Sequence, residues 1–224
     1  MTFLPGWFPG VAIRFPTRVY QGSTHNNTSG TTRTFTSHAI GVAHASRLVV
    51  VAIQYSHGIV LNRPISSVTI GGNTATLHLQ NVTPTNTSWR TGVASLAVAS
   101  GTTATITVTV SGVDLVGDMV ISVYALYNLN SHTPVHTAGN AAVTTTSISV
   151  NLNISAGGIG IAAMISSANE GHTIVGLVED ADALAGGIRY IPSSSQYMSA
   201  ETGRTISQSS ASSASRSMST VSWR

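Results

Sequence analysis

Thr103-Ala104-Thr105-Ile106-Thr107-Val108-Thr109-Val110 alternates polar and apolar positions without a break. A period of two is the pattern of a β-strand with one wet and one dry face. Two more stretches repeat it. From Asn73 to Gln80, Ala75, Leu77 and Leu79 alternate with Thr74, Thr76, His78 and Gln80; from Ser147 to Ser155, Ile148, Val150, Leu152 and Ile154 share one side. The polar partners are Ser, Thr, Asn and Gln, hardly ever a charge. Arg47 to Tyr55 differs, being nearly all apolar and β-branched, which predicts a central strand buried on both faces.

Working outward, strand candidates come densely. Ser67–Ile70 and Thr74–Leu79 flank Gly71-Gly72-Asn73, a tight hairpin signal, and Thr91–Ala99 and Thr103–Val110 flank Ser100-Gly101. Asp118–Tyr127, Ala142–Ile154, Ile159–Ile165, His172–Val178 and Gly187–Ile191 complete the series. No segment carries a helical period; Glu179–Leu184 offers one turn at most. Short strands, Gly-rich turns and no internal repeat predict an all-β, antiparallel, jelly-roll-like β-sandwich. Ser193–Thr220 is Ser-rich enough to pass for disorder, yet Met198, Ile206, Met218, Val221 and Trp223 recur through it. The last dozen residues therefore read as a closing strand with a bulge near Thr220.

The beginning stands apart. Residues 1–20 concentrate Phe3, Leu4, Pro5, Trp7, Phe8, Pro9, Phe15 and Pro16, and the prolines and glycines exclude a helix or an unbroken strand. Residues 21–34 are polar and read as a linker or long loop. The expected organisation is an extended attachment arm and linker over 1–34 and one sandwich over 35–224. Trp7 and Phe8 cannot bury themselves in regular structure of their own. They either plug the chain's own sandwich or anchor into a neighbour, where such rings dominate binding.

Composition narrows the function. The chain has 224 residues and no cysteine, which removes disulfides, thiolate metal sites and a Cys nucleophile. The net charge is +3, but every cation is an arginine and they are scattered, so no basic footprint for nucleic acid forms. Charged residues make up 8% of the chain, against ~25% in ordinary soluble domains. Two explanations stay open: a surface that meets other protein, or a neutral secreted domain. No stretch reaches the ~20 apolar residues of a membrane-spanning helix, so no membrane insertion is expected.

His132 and His136 are separated by Pro134 and do not share a helix face; His38 and His44 bracket a strand-like run. Glu179, Asp180 and Asp182 could bind calcium or form a solvated turn. No Gly-x-Ser-x-Gly elbow and no dinucleotide loop occurs. N-glycosylation sequons such as Asn26-Asn27-Thr28, Asn81-Val82-Thr83, Asn86-Thr87-Ser88 and Asn153-Ile154-Ser155 match what chance supplies in so Asn/Ser/Thr-rich a chain. Trp89, Tyr124, Tyr127, Tyr190 and Tyr197 could form a sugar-stacking platform. The expectation is a protein that is not an enzyme and uses no cofactor or metal.

Phe3-Leu4-Pro5-Gly6-Trp7-Phe8-Pro9-Gly10 resembles a short N-terminal motif of many tailed-bacteriophage virion proteins. Arg47–Tyr55 followed by Ile65-Ser66-Ser67-Val68-Thr69-Ile70-Gly71-Gly72-Asn73 resembles a strand-and-hairpin pattern recurring in phage structural proteins, and Gly157–Asp182 and the Ser-rich close fit it too. The resemblance implies a virion component, assembled in the host cytoplasm, that binds other capsid or tail proteins and itself as a homo-oligomer. Capsid decoration is the leading expectation, with Phe3, Leu4, Pro5, Trp7 and Phe8 as partner-binding residues. The alternative is a tail-fibre, receptor-binding or carbohydrate-binding module that touches a host-surface glycan.

Overall fold

A computed structural model describes residues 15–57, 63–83, 88–112, 117–196 and 199–224. The chain opens with β1 (Thr17–Asn26), β2 (Thr32–Ala39) and β3 (Leu48–His57). A hairpin follows, β4 (Ile65–Ile70) and β5 (Asn73–Thr74), then β6 (Thr76–Val82), β7 (Ser88–Ala97), β8 (Thr103–Val110) and β9 (Met119–Tyr127). The second half holds β10 (His136–Ile154), β11 (Ile159–Ser166), β12 (Thr173–Val175), β13 (Val178–Glu179), β14 (Ala183–Ala185), β15 (Ile188–Gln196) and β16 (Glu201–Trp223). The fold is an all-β antiparallel sandwich, built from three sheets rather than two.

The middle sheet has the order β1-β9-β3-β7-β6 and is covered on both faces. β3 is its axis, and every residue from Leu48 to Tyr55 is at most 2% exposed. Val49, Val51, Ile53 and Tyr55 pack with Phe35, Val68, Ile106 and Val108 of the first sheet, ordered β2-β8-β4-β5. Leu48, Val50 and Ala52 face the opposite way, onto Ile159, Ile161, Val221 and Trp223 of the third sheet. Each such aliphatic side chain contributes about 1.5–3 kcal/mol by leaving water. β8 shows the opening pattern directly: Ile106, Val108 and Val110 are buried while Thr103 and Thr105 are exposed.

The Asn73–Gln80 alternation is shared between two sheets. The chain leaves the first sheet after Thr74, turns at Ala75, whose N–H bonds to Val68 O at 2.8 Å, and joins the middle sheet as β6. A sandwich corner of this kind preserves in/out polarity, so the pattern alone does not mark it. Gly71 and Gly72, at φ 59° and 81°, make the turn that the Gly-Gly-Asn signal predicts.

The third sheet runs β10-β16-β11-β15-β13, with β12 on β16 and β14 on β15. Its long β10–β16 ribbon doubles back on itself. Register shifts cluster between Ala142 and Ser147, opposite Arg216, Ala214 and Ser209, and Thr144 takes a left-handed φ of 52°. The far half then lies over the near half. Ser222 Oγ donates to Asn153 O at 2.7 Å, and Ile148, Val150, Leu152 and Ile206 cover Met164, Ile191 and Met218.

Three expectations are corrected here. Ser100-Gly101 does not close a hairpin, because β7 lies in the middle sheet and β8 in the first, so the connection crosses between sheets. The linker expected over 21–34 is strand for most of its length: β1 pairs with β9 from Thr17 to Asn26, bulging between Tyr20 and Gly22. A polar composition hid it because an edge strand of this kind keeps much of its surface wet. The bulge expected near Thr220 lies instead at the ribbon bend, and pairing from Arg216 to Ser222 is regular. The alternation in the sequence changes phase at Thr220 because Ser217, Ser219, Thr220 and Ser222 are all buried. Their hydroxyls find partners: Ser217 and Ser219 with Thr91 Oγ1 at 3.0 and 2.9 Å, and Thr220 with Ala138 O at 2.7 Å. Small hydroxyls satisfied by neighbours allow a Ser-rich strand to stand in the interior.

Candidate functional site

The proposed anchors Phe3, Leu4, Pro5, Trp7 and Phe8 lie outside the described residues. The structure does describe where that segment joins the sandwich. Phe15 and Pro16 lie against Gly157, and the Gln196 amide donates to Pro16 O. Arg18 then reaches from β1 across to Asp180, Nη1 to Oδ1 at 3.3 Å.

Asp180 is the hub of this rim. Its side chain is 8% exposed, and its own N–H bonds to Pro192 O, which fixes the turn after β13. Oδ2 accepts from Tyr124 Oη at 2.9 Å and from Ser194 Oγ at 2.5 Å. Behind it, the Tyr20 ring sits 5.3 Å from that of Tyr124, and Tyr20 Oη, Ser23 Oγ and Ser122 Oγ form a chain with 2.6 Å steps. Burial pushes the Asp180 carboxyl up, while the bonds from Ser194, Tyr124 and Arg18 pull it down. Burial and the Asp180 charge raise the Tyr124 phenol well above its usual value. This network joins β1, β9, β13 and β15, and its hydroxyls all have partners. It ties the start of β1 to the turn after β13.

The neighbouring acids serve elsewhere. Asp182 pairs with Arg189 at 2.8 Å, and Glu179 is exposed. The Glu179, Asp180 and Asp182 carboxylates thus have separate surroundings instead of one calcium shell, and no cluster of metal-binding residues occurs among the described residues. His38 Nδ1 lies 3.0 Å from Ala39 O, and His44 Nδ1 accepts from Ser46 N–H at 3.1 Å. His132 offers its carbonyl to Trp223 Nε1, while His136 Nδ1 accepts from Asn153 N–H. The aromatic platform does not assemble: Tyr124 and Tyr190 are fully buried, Trp89 packs beside Tyr190, and Tyr127 sits apart against Val42 and His44. Tyr197 lies outside the described residues.

One groove was not foreseen. It holds about 350 Å³ at the end of the middle and third sheets, and Thr76, His78, Ser95, His132 and Pro134 line it. His78 is the extra residue of a bulge, since Leu77 faces Ala94 and Leu79 faces Val93. Bulges re-aim side chains, and this one brings His78 Nε2 to 2.7 Å from Ser95 Oγ and its ring edge-on to Trp223 at 5.7 Å. Burial lowers the His78 pKa, so the ring is neutral near pH 7. No carboxylate lines the groove to orient the imidazole. The pair lacks the third member that serine nucleophiles use. In sequence, His78 counts simply as a polar position of the alternation, and only the bulge distinguishes it.

The chain matches no protein-family model, no curated protein and no solved structure at a significant level.

Proposed function

We propose that this protein is a non-enzymatic structural component of a virion, of the capsid-decoration or attachment type, docking through its N-terminal segment. One observation carries the reading: the folded surface is poorer in free charge than the composition implies. Of ten arginines, Arg33, Arg47, Arg63, Arg90 and Arg216 are buried. Arg18, Arg189 and Arg204 are paired with Asp180, Asp182 and Glu201. Arg47 is wholly internal, donating to the carbonyls of Gly41, Val98 and Ser100 at 2.5–2.7 Å. What remains outside is mostly Ser, Thr and Asn with scattered large apolar residues such as Phe15, Val42 and Val178. Exposed domains rely on charge for solubility, whereas a surface covered by neighbouring protein works through polar contacts and bridging water. The resemblance of Phe3–Gly10 and of the Val68–Asn73 hairpin to phage structural proteins supports the virion setting.

The test is incorporation. Because Thr17 onward belongs to β1, the deletion is placed at residues 1–14. The truncated chain is expected to keep its sheet circular dichroism and cooperative unfolding but to be missing from purified particles. Normal incorporation of the truncated chain, or absence of the full chain from particles, rules the reading out.

A further inference from the structure

The two layers of the doubled ribbon are joined by residues 167–175, which run from the end of β11 to β12. β12 is three residues long, and among the described residues it pairs with Ser207–Ser209 of the far half. Thr173 and Val175 are exposed and Ile174 is half-buried, so this clasp contributes little apolar burial. Two polar side chains at the clasp are closed off from water. His172 immediately precedes β12, and both its ring nitrogens are buried without a protein partner among the described residues. Gln208 stands opposite Ile174, is fully buried, and has both amide atoms in the same condition. An orphaned buried polar group costs about 1–3 kcal/mol. The clasp therefore closes against the groups it covers.

The charges around His172 accommodate a neutral ring and oppose a cation. Arg216 of β16 is buried and brackets the ribbon bend, donating to Thr145 O, Ser166 Oγ, Ser210 Oγ and Ser212 O. Arg189 of β15 donates to Asn169 O in the connection and pairs with Asp182 at 2.8 Å. Glu170 accepts from the N–H and the hydroxyl of Ser212. Arg216, Asp182, Arg189 and Glu170 are the charges that act on the ring. Both carboxylates are engaged by other donors, and neither is hydrogen-bonded to the imidazole. A proton on His172 thus adds a cation beside two guanidiniums, with N–H groups that have no acceptor.

We propose that β12 is an acid-released clasp: a proton on His172 detaches residues 171–175 from Ser207–Ser209 while the rest of the sandwich stays folded. The open form returns the ring to water and bares the Ser207–Ser209 edge of β16, a strand edge free to accept another strand. Opening takes up one proton. Its equilibrium constant therefore rises up to about tenfold per pH unit below ~6.5, and levels off once the closed form is protonated as well.

The experiment is amide hydrogen exchange by NMR on the full chain, with each rate divided by its intrinsic rate at that pH. Protected amides within Thr173–Val175 and Ser207–Ser209 are expected to lose about tenfold in protection between about pH 6.5 and about pH 5.5, while Leu48–Tyr55 of β3 keep theirs. In His172→Gln the clasp is expected to hold the same protection across that range. In His78→Gln, which removes another half-buried histidine, it is expected to behave as in the parent. Clasp protection that ignores pH, that falls equally in His172→Gln, or that falls together with β3 overturns the proposal. If His172→Gln fails to fold, the parent decides. Its loss of protection must level off at the pH where the His172 ring resonance titrates, and levelling elsewhere overturns the proposal.

Discussion

Asp180 shows how one buried carboxylate is made tolerable. Three donors converge on it, and removing the acceptor strands them. Asp180→Ala is expected to cost about 1–3 kcal/mol by urea denaturation, the price of leaving Tyr124 and Ser194 hydroxyls unsatisfied. Asp180→Asn keeps an acceptor and is expected to cost less than half as much. The sign of its pH dependence is set by burial. A carboxyl whose folded pKa is raised contributes stability that is full below its ordinary value near ~3.9 and is lost as pH rises through the folded value. Asp180→Asn therefore gains relative to the parent between pH 4 and neutrality. His172 runs the other way. Both its ring nitrogens are buried without a partner, and burial, then the charge of Arg216, lower its pKa; Arg189 adds to this while Asp182 and Glu170 oppose it. Its contribution is present above ~6.5 and is lost as pH falls through the lowered folded value. His172→Gln is expected to flatten the acid limb of a stability-versus-pH curve; an unaltered limb assigns the slope to His78, which burial also depresses.

At the scale of elements, the folded-back ribbon builds a core of its own against β11, β15 and β16. Leu152 is fully buried beneath it with Met164 and Ile206, and Leu152→Ala is expected to lose 2–5 kcal/mol of unfolding free energy. Ser219→Val at the other face removes the acceptor and donor shared by Thr91 and Asn81, at an expected cost of about 1–3 kcal/mol despite the added hydrophobicity. These two positions also show what sequence can and cannot disclose. Val49–Tyr55 and Thr103–Val110 were legible because burial on two faces or one leaves a periodic signature in residue type. The doubling of β10 on β16 was not, since each half alternates correctly and the bend is written in Thr and Ser residues that fit a strand equally well. β1 escaped notice for the same reason in reverse, its exposed edge resembling a loop. Of the expected anchors, the aromatic residues between Phe3 and Phe8 stand out by composition and lie outside the described residues. The Asp180 hub was not legible: its partners Arg18 and Tyr124 stand 162 and 56 residues away in sequence, a separation no local pattern spans.

Over the whole molecule, layers outnumber charges. The middle sheet is shielded on both faces, the third sheet is shielded by its own folded ribbon, and many arginines serve as internal braces. Docking on neighbouring protein, as proposed above, would draw on apolar and hydroxyl contacts, so its strength is expected to change little between low and molar salt, as sedimentation would show; a steep salt dependence would place charge at the interface. The position of β16 has a further consequence. It follows β10, β11 and β15 in sequence, yet it pairs between β10 and β11. On the ribosome those two strands must wait with unfilled flanks until Ser217–Trp223 emerges and slots between them. A nascent chain stalled before that point is expected to expose sticky β-edges and recruit chaperones, and emergence of Ser217–Trp223 should trigger abrupt protease resistance in the whole second half.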